Sequence, residues 1–178
     1  MRISGGLWIR RRGKSKLQIV SNTGPLLHLS EIQGLDVLFL AGEIFIPAAV
    51  EKELRALLPG WRSIKKIHQA SLDITYAVLA RRLVQANLLD SGEAESIALA
   101  RQLKADWFLT DDAAARVLAA SIGLEVHGSL GVLLWAAAQK HIAKEAAASL
   151  LERLAQSSLW ISARILKEAQ DAIQSLHD

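Results

Sequence analysis

The chain reads as an α/β protein built on a mostly parallel sheet, and three observations carry that reading. Short apolar runs of strand length alternate with stretches in which apolar residues recur at helical spacing, the signature of strand-helix-strand units. The run WFL at 107–109 stops at Thr110 and two adjacent carboxylates, Asp111 and Asp112, and then passes into an alanine-rich helical pattern. A buried strand does this where it ends at the carboxyl edge of an open sheet, the place where such sheets bind ligands. Finally, the sequence has 178 residues, 51% of them hydrophobic, which suits one domain with a sizeable core.

The elements follow in order. Residues 17–21 (LQIVS) form an apolar run that ends at Asn22-Thr23-Gly24-Pro25, so strand, tight turn and helix are expected, with Pro25 in the first helical turn. Gly34 breaks that helix, and 35–40 make a second, short one. A strand is expected at 43–46. Pro47 then opens a helix with Val50, Glu53, Leu54 and Leu57 on neighbouring faces, and Pro59-Gly60 ends it. Residues 61–71 are mixed and basic and predict no element. Helices are expected at 76–86 and 93–104, the second because Ile97, Ala98, Ala100 and Leu103 recur at helical spacing. After the Asp pair a helix runs to about 121, Gly123 closes it, 124–127 is a short strand, and the turn 128–131 leads into a helix at 132–139. Two amphipathic helices, 143–156 and 162–176, complete the chain.

Charge is unevenly spread. The formal net charge is +3 and the pI about 9.4, yet Arg2, Arg10, Arg11, Arg12, Lys14 and Lys16 supply six of the 21 basic residues and no acid precedes Glu31. The other 15 basic residues face 18 acidic ones, so the body is mildly acidic. Residues 1–16 therefore read as a flexible basic arm before a single domain at 17–178. Arg10, Arg11 and Arg12 are its candidate phosphate contacts; an arm without a role explains the same residues. With no Cys, disulfides and thiolate zinc sites are excluded, which fits a cytoplasmic protein. No apolar run reaches the length of a membrane span, so no membrane partner is expected.

Five carboxylates fall near the ends of the predicted elements: Glu53, Glu93, Glu95, Asp111 and Asp112. If the elements wind as a parallel sheet, these ends converge, and hard cations such as Mg²⁺ and Mn²⁺ prefer oxygen ligands. Each residue also has a structural explanation. Asp90 and Glu93 fit a capping box, Glu95 and Glu53 fit solvated helix faces, and one Asp of the pair can cap a helix while Arg116 pairs with Asp112 at i,i+4. The five His residues show no metal-ligand spacing, and His28 on an apolar helix reads as a satisfied core residue. The Gly128–Gly131 turn is a weak phosphate-cradle signal.

The strings VSNTGPLL at 20–27, IP at 46–47 with VEKEL at 50–54, LDSGEAESIALA at 89–100, LTDD at 109–112 and GSLGV at 128–132 together resemble the PIN-domain ribonuclease superfamily. The likeness is to its prokaryotic branch near the VapC-type toxins and covers about residues 18–143. The resemblance implies a three-layer α/β/α sandwich with a mostly parallel central sheet. It also implies a carboxylate cluster holding Mg²⁺ or Mn²⁺ and metal-dependent cleavage of RNA. A small antitoxin and a homodimer are the implied partners. The family's first acidic position falls on Asn22, the second on Glu53, the third on Glu93 with Glu95 as second choice, and the last on Asp111 and Asp112. Thr23 and Thr110 match its hydroxyl positions. Asn22 offers a neutral carbonyl where the family has a carboxylate. The expected function is thus a metal-dependent ribonuclease with catalytic Asn22, Glu53, Glu93, Asp111 and Asp112, the last four binding metal. The alternative is a catalytically degenerate PIN-like module acting by RNA or antitoxin binding.

Overall fold

The computed structural model describes residues 16–176. The arm and its Arg10, Arg11 and Arg12 lie outside the described residues. Strands β1 (Leu17–Ser21), β2 (Gly42–Ile46), β3 (Ile67–Gln69), β4 (Trp107–Leu109) and β5 (Val126–His127) form one sheet in the order β3-β2-β1-β4-β5. Every neighbouring pair is parallel. The first three strands step outward in one direction from β1, and β4 returns to its other side. The topological switch point therefore lies between β1 and β4, where Ser21 is in register with Leu109.

Alternation along the strands makes the three layers. Ile19, Ile44, Ile46, Ile67, Trp107 and Leu109 face one apolar cluster, and Val20, Phe45, Phe108 and Val126 face the other, as a period of two requires. The first cluster is closed by α1 (Thr23–Glu31), α2 (Leu35–Ala41), α3 (Ala48–Leu57), α7 (Ser129–Ala138), α8 (Lys144–Ala155) and α9 (Ala163–Gln174). The second is closed by α4 (Ile74–Gln85), α5 (Ser91–Leu103) and α6 (Ala113–Ser121). Helix α5 is the main support of that face. Its Ala94, Ile97, Ala98, Leu99 and Ala100 are fully buried, and each large side chain among them contributes about 2 kcal/mol of apolar burial. The result is the α/β/α sandwich with a parallel sheet. Among the described residues, no helix is long and apolar enough to cross a membrane.

Three local features depart from the sequence reading. The basic stretch contains an edge strand, β3, which escapes a pattern search because it has three residues and only Ile67 of them is buried. Helix α7 starts at Ser129, not 132, because the Ser129 backbone N–H, the first of the helix, finds an acceptor in Asp111. Helix α5 starts at Ser91, where Asp90 and Glu93 form a complete capping box.

Candidate active site

The site is built from the carboxyl ends of β1 and β4 outward. Where β1 stops, the Asn22 backbone N–H donates to the Leu109 carbonyl at 2.8 Å, which fixes the two strand ends side by side. Asn22 caps α1, and its Oδ1 accepts from the Thr23 N–H at 2.8 Å. The Thr23 hydroxyl donates to Glu53 Oε2 on α3. The other Glu53 oxygen lies against Gly92 in the first turn of α5, where an added Cβ would come within 2.7 Å of it. Thus Asn22, Thr23, Glu53 and the start of α5 border one crevice over the switch point.

The adjacent aspartates do different things. Asp111 is mostly buried and turned toward α1 and α7: Oδ2 pairs with His28 Nδ1 at 2.8 Å and accepts from the Ser129 hydroxyl at 2.6 Å, and Oδ1 accepts from the Ser129 N–H at 2.8 Å. Burial opposes its ionisation, but the bonds from His28 and Ser129 outweigh it and hold the carboxyl below its usual range. Gly128 is required beside it, since a Cβ there would meet Asp111 Oδ1 at 2.5 Å. Asp112 is exposed. It caps α6, with Oδ1 accepting from the Ala115 N–H at 2.8 Å, while its own N–H donates to the Thr110 hydroxyl at 3.2 Å. Arg116 does not take up the i,i+4 pairing with Asp112; its Nη1 donates to the Thr110 carbonyl at 3.0 Å.

Glu93 meets Asp112 across the crevice. Partial burial is the largest influence on its carboxyl, which is pushed up from 4.5 to about 7. The Asp90 N–H bond works against the rise, whereas the charges of Asp90 and Asp112 and a hydrogen bond shared with Asp112 add to it. Two neighbouring carboxyl groups to which no cationic side chain among the described residues is bonded are oxygen donors of the kind a hard cation prefers. Glu95 is turned elsewhere: its Oε2 accepts from the Ala49 N–H at 2.9 Å and so caps α3, whose own N-cap, Pro47, has no side-chain donor or acceptor to offer. Among the described residues, no three Asp, Glu or His groups gather tightly enough to surround one ion. The carboxylates that border the crevice are oxygen donors suited to a hard cation in chemistry, and Glu93 and Asp112 are the two that meet.

Sequence reasoning did not identify Ser129, or His28 as a partner of Asp111. Both lie far from Asp111 along the chain, and no linear spacing links them. The His28 expectation of a satisfied, mostly buried side chain agrees with its 13% exposure and its bond to Asp111.

A parallel α/β/α sheet with an acidic crevice at its switch point defines a class of protein suited to a hard cation and a phosphate-bearing ligand. A family model described as a PIN domain matches residues 18–175, and the chain belongs to the PIN-domain family. No curated protein matches it. PIN domains are a nuclease-type superfamily, and their nucleases generally use divalent metals.

Proposed function

We propose that this chain is a metal-dependent ribonuclease of the branch that resembles the VapC-type toxins, and that Glu53, Glu93 and Asp112 hold Mg²⁺ or Mn²⁺. The observation that supports the reading is the meeting of Glu93 with Asp112, two carboxyl groups beside the switch point whose proximity adds to the upward shift of Glu93. Such an ion, when bound, would neutralise charge developing on a phosphodiester and acidify attacking water. The chain's own groups then have distinct tasks. The Thr23 hydroxyl orients Glu53. The Asn22 carbonyl is engaged by Thr23, which leaves its NH₂ as a neutral donor for substrate oxygen. The Thr110 hydroxyl fixes the turn that presents Asp112. Asp111 enters as the anchor of the site and not as a ligand, because its two oxygens already accept three hydrogen bonds.

RNA as substrate, a small antitoxin as inhibitor, a homodimer as the working form and the cytoplasm as the compartment belong to the same reading, on the strength of the resemblance to VapC-type toxins. The neutral Asn22 favours a second reading, a module that binds RNA or antitoxin without cleaving. Titrating Mg²⁺ and Mn²⁺ against the purified chain and a labelled RNA separates them. Cleavage that rises with metal, stops in chelator and is lost in Asp112→Asn is the expected result. Chelator-resistant cleavage overturns the proposal, and RNA binding without cleavage at any metal concentration selects the second reading.

A further inference from the structure

The acidic crevice is not where the positive charge of the body lies. From Leu54 to Leu72 the chain carries Arg55, Arg62, Lys65, Lys66 and His68 and no acidic residue, while the rest of 17–178 has 11 Lys and Arg against 18 acids. The fold collects this segment on the end of α3, a 3₁₀ turn (Trp61–Ser63) and the edge strand β3.

The cations are held in place. Glu51 on α3 is buried, and its Oε1 accepts from Arg55 Nε at 2.7 Å and from Arg62 Nη2 at 2.6 Å. The Arg55 bond and then, against the effect of burial, the Arg62 bond keep the Glu51 carboxyl below its usual range, so it stays ionised. Both arginine side chains remain about 60% exposed, at 60% and 62%. Two guanidinium groups on one carboxylate leave a net positive charge with planar N–H edges directed by a fixed anchor, a geometry that suits phosphate oxygens. Nearby, the Arg62 guanidinium sits 5.7 Å from the Trp61 ring centre, the Lys66 ammonium 5.4 Å from that of Phe39, and the His68 ring 5.5 Å from that of Phe45. A charge on an edge strand can also guard against strand pairing, which accounts for His68 on β3, whereas Lys65 and Lys66 lie in the turn before it. Guarding an edge does not require burying a carboxylate to hold Arg55 of α3 and Arg62 of the 3₁₀ turn together, since surface ion pairs contribute little stability.

We propose that this basic ledge binds the phosphodiester backbone of the RNA beside the scissile position. The proposal rests on the nuclease reading and extends it to a substrate path. Helix α3 joins the two regions: Glu53 faces the crevice and Glu51 with Arg55 faces the ledge, so they are separated by about one helix diameter, roughly 10 Å.

The test is binding of a fluorescein-labelled single-stranded RNA in chelator, followed by anisotropy over a salt series. It compares the full chain with Lys65→Gln/Lys66→Gln, which leaves the Glu51 anchor intact, and with Lys104→Gln/Lys140→Gln as an equal loss of charge elsewhere. Each phosphate contact on a single strand contributes about 0.7 to the salt slope, so the ledge pair should lower the slope by about 1.4 and weaken binding about 25-fold at 0.1 M salt. The control pair should leave the slope near that of the wild type. Wild-type binding with an unchanged slope in the ledge variant, or equal losses in both variants, overturns the ledge and leaves the nuclease reading intact. Loss at the ledge as expected, with no metal-dependent cleavage in the separate assay, supports the ledge and removes the nuclease.

Discussion

Replacing Glu93 by Gln probes the carboxylate pair with little disturbance elsewhere. Gln retains the capping box, because its side-chain carbonyl can accept from the Asp90 N–H as Glu93 Oε2 does at 3.1 Å. The folded carboxyl titrates at about 7 and the ordinary one at 4.5. Between those values the folded state holds a proton that the unfolded state has released, so stability falls as pH rises. The contribution is complete below about pH 4.5 and gone above about pH 7. The full gap corresponds to about 3 kcal/mol, and partial solvation of the pair reduces it to about 1–2 kcal/mol. In chelator, Glu93→Gln should therefore match wild type within about 0.5 kcal/mol at pH 5 and exceed it by about 1–2 kcal/mol at pH 8, a gain of roughly 2–8 °C in Tm. Urea and thermal unfolding at several pH values measure this. Adding Mn²⁺ at pH 8 should raise the wild type more than the variant. Parallel stability curves for the two proteins between pH 5 and 8 would refute the reasoning, since they would mean that Glu93 is not crowded by Asp112.

Asp111→Asn should act in the opposite direction and lose about 1–3 kcal/mol in chelator, because an amide cannot accept all three bonds from His28 and Ser129. The lowered Asp111 carboxyl contributes stability that is present above its usual value and lost as pH falls through the folded one, so the deficit should shrink in acid; an unchanged melting curve at pH 7 would show that those bonds carry no weight. Gly92→Ala should push Glu53 away from Thr23, since the new Cβ would lie 2.7 Å from Glu53 Oε1, while Ala in the first turn of α5 leaves stability nearly unchanged. About a tenfold loss of Mn²⁺ affinity by calorimetry is expected, and wild-type affinity would remove Glu53 from the ligand set.

The sheet was legible because three of its strands announce themselves by composition: β1 and β4 are apolar runs closed by turn and cap residues, and β2 is bounded by Gly42 and Pro47. β3 was not, because an edge strand with one solvated side needs few apolar residues, and its Lys65-Lys66 approach reads as loop. The capping box at Asp90–Glu93 was legible as a local pattern, but the same Glu93 also faces Asp112, and local spacing alone does not distinguish a cap from a site residue. The direction of Glu95 was hidden for another reason. Its partner is the Ala49 N–H in the first turn of α3, 46 residues away, and such a cap depends on how two helices pack, not on either sequence window.

Asp111 and Asp112 show why residue type does not fix role. Leaving β4, successive side chains turn to opposite sides, so one carboxylate enters the layer of α1 and α7 and the other reaches the crevice. The first meets His28 and the positive end of α7, which offset its charge within the fold. The second meets another carboxyl, Glu93, and stays exposed. On the reading proposed above, the charge offered to a cation would come from Glu53, Glu93 and Asp112, with Asp111, the fourth carboxylate of the sequence reading, engaged by His28 and Ser129. Asn22 acquires a physical reason in this balance. A carboxylate at that position, fixed to Leu109 through its own N–H and one residue from Thr23, would add a further uncompensated charge to a crevice in which Glu93 already holds its proton up to about pH 7. A neutral amide keeps the cap on α1 without adding that charge, and on the proposed reading it would leave a donor for substrate.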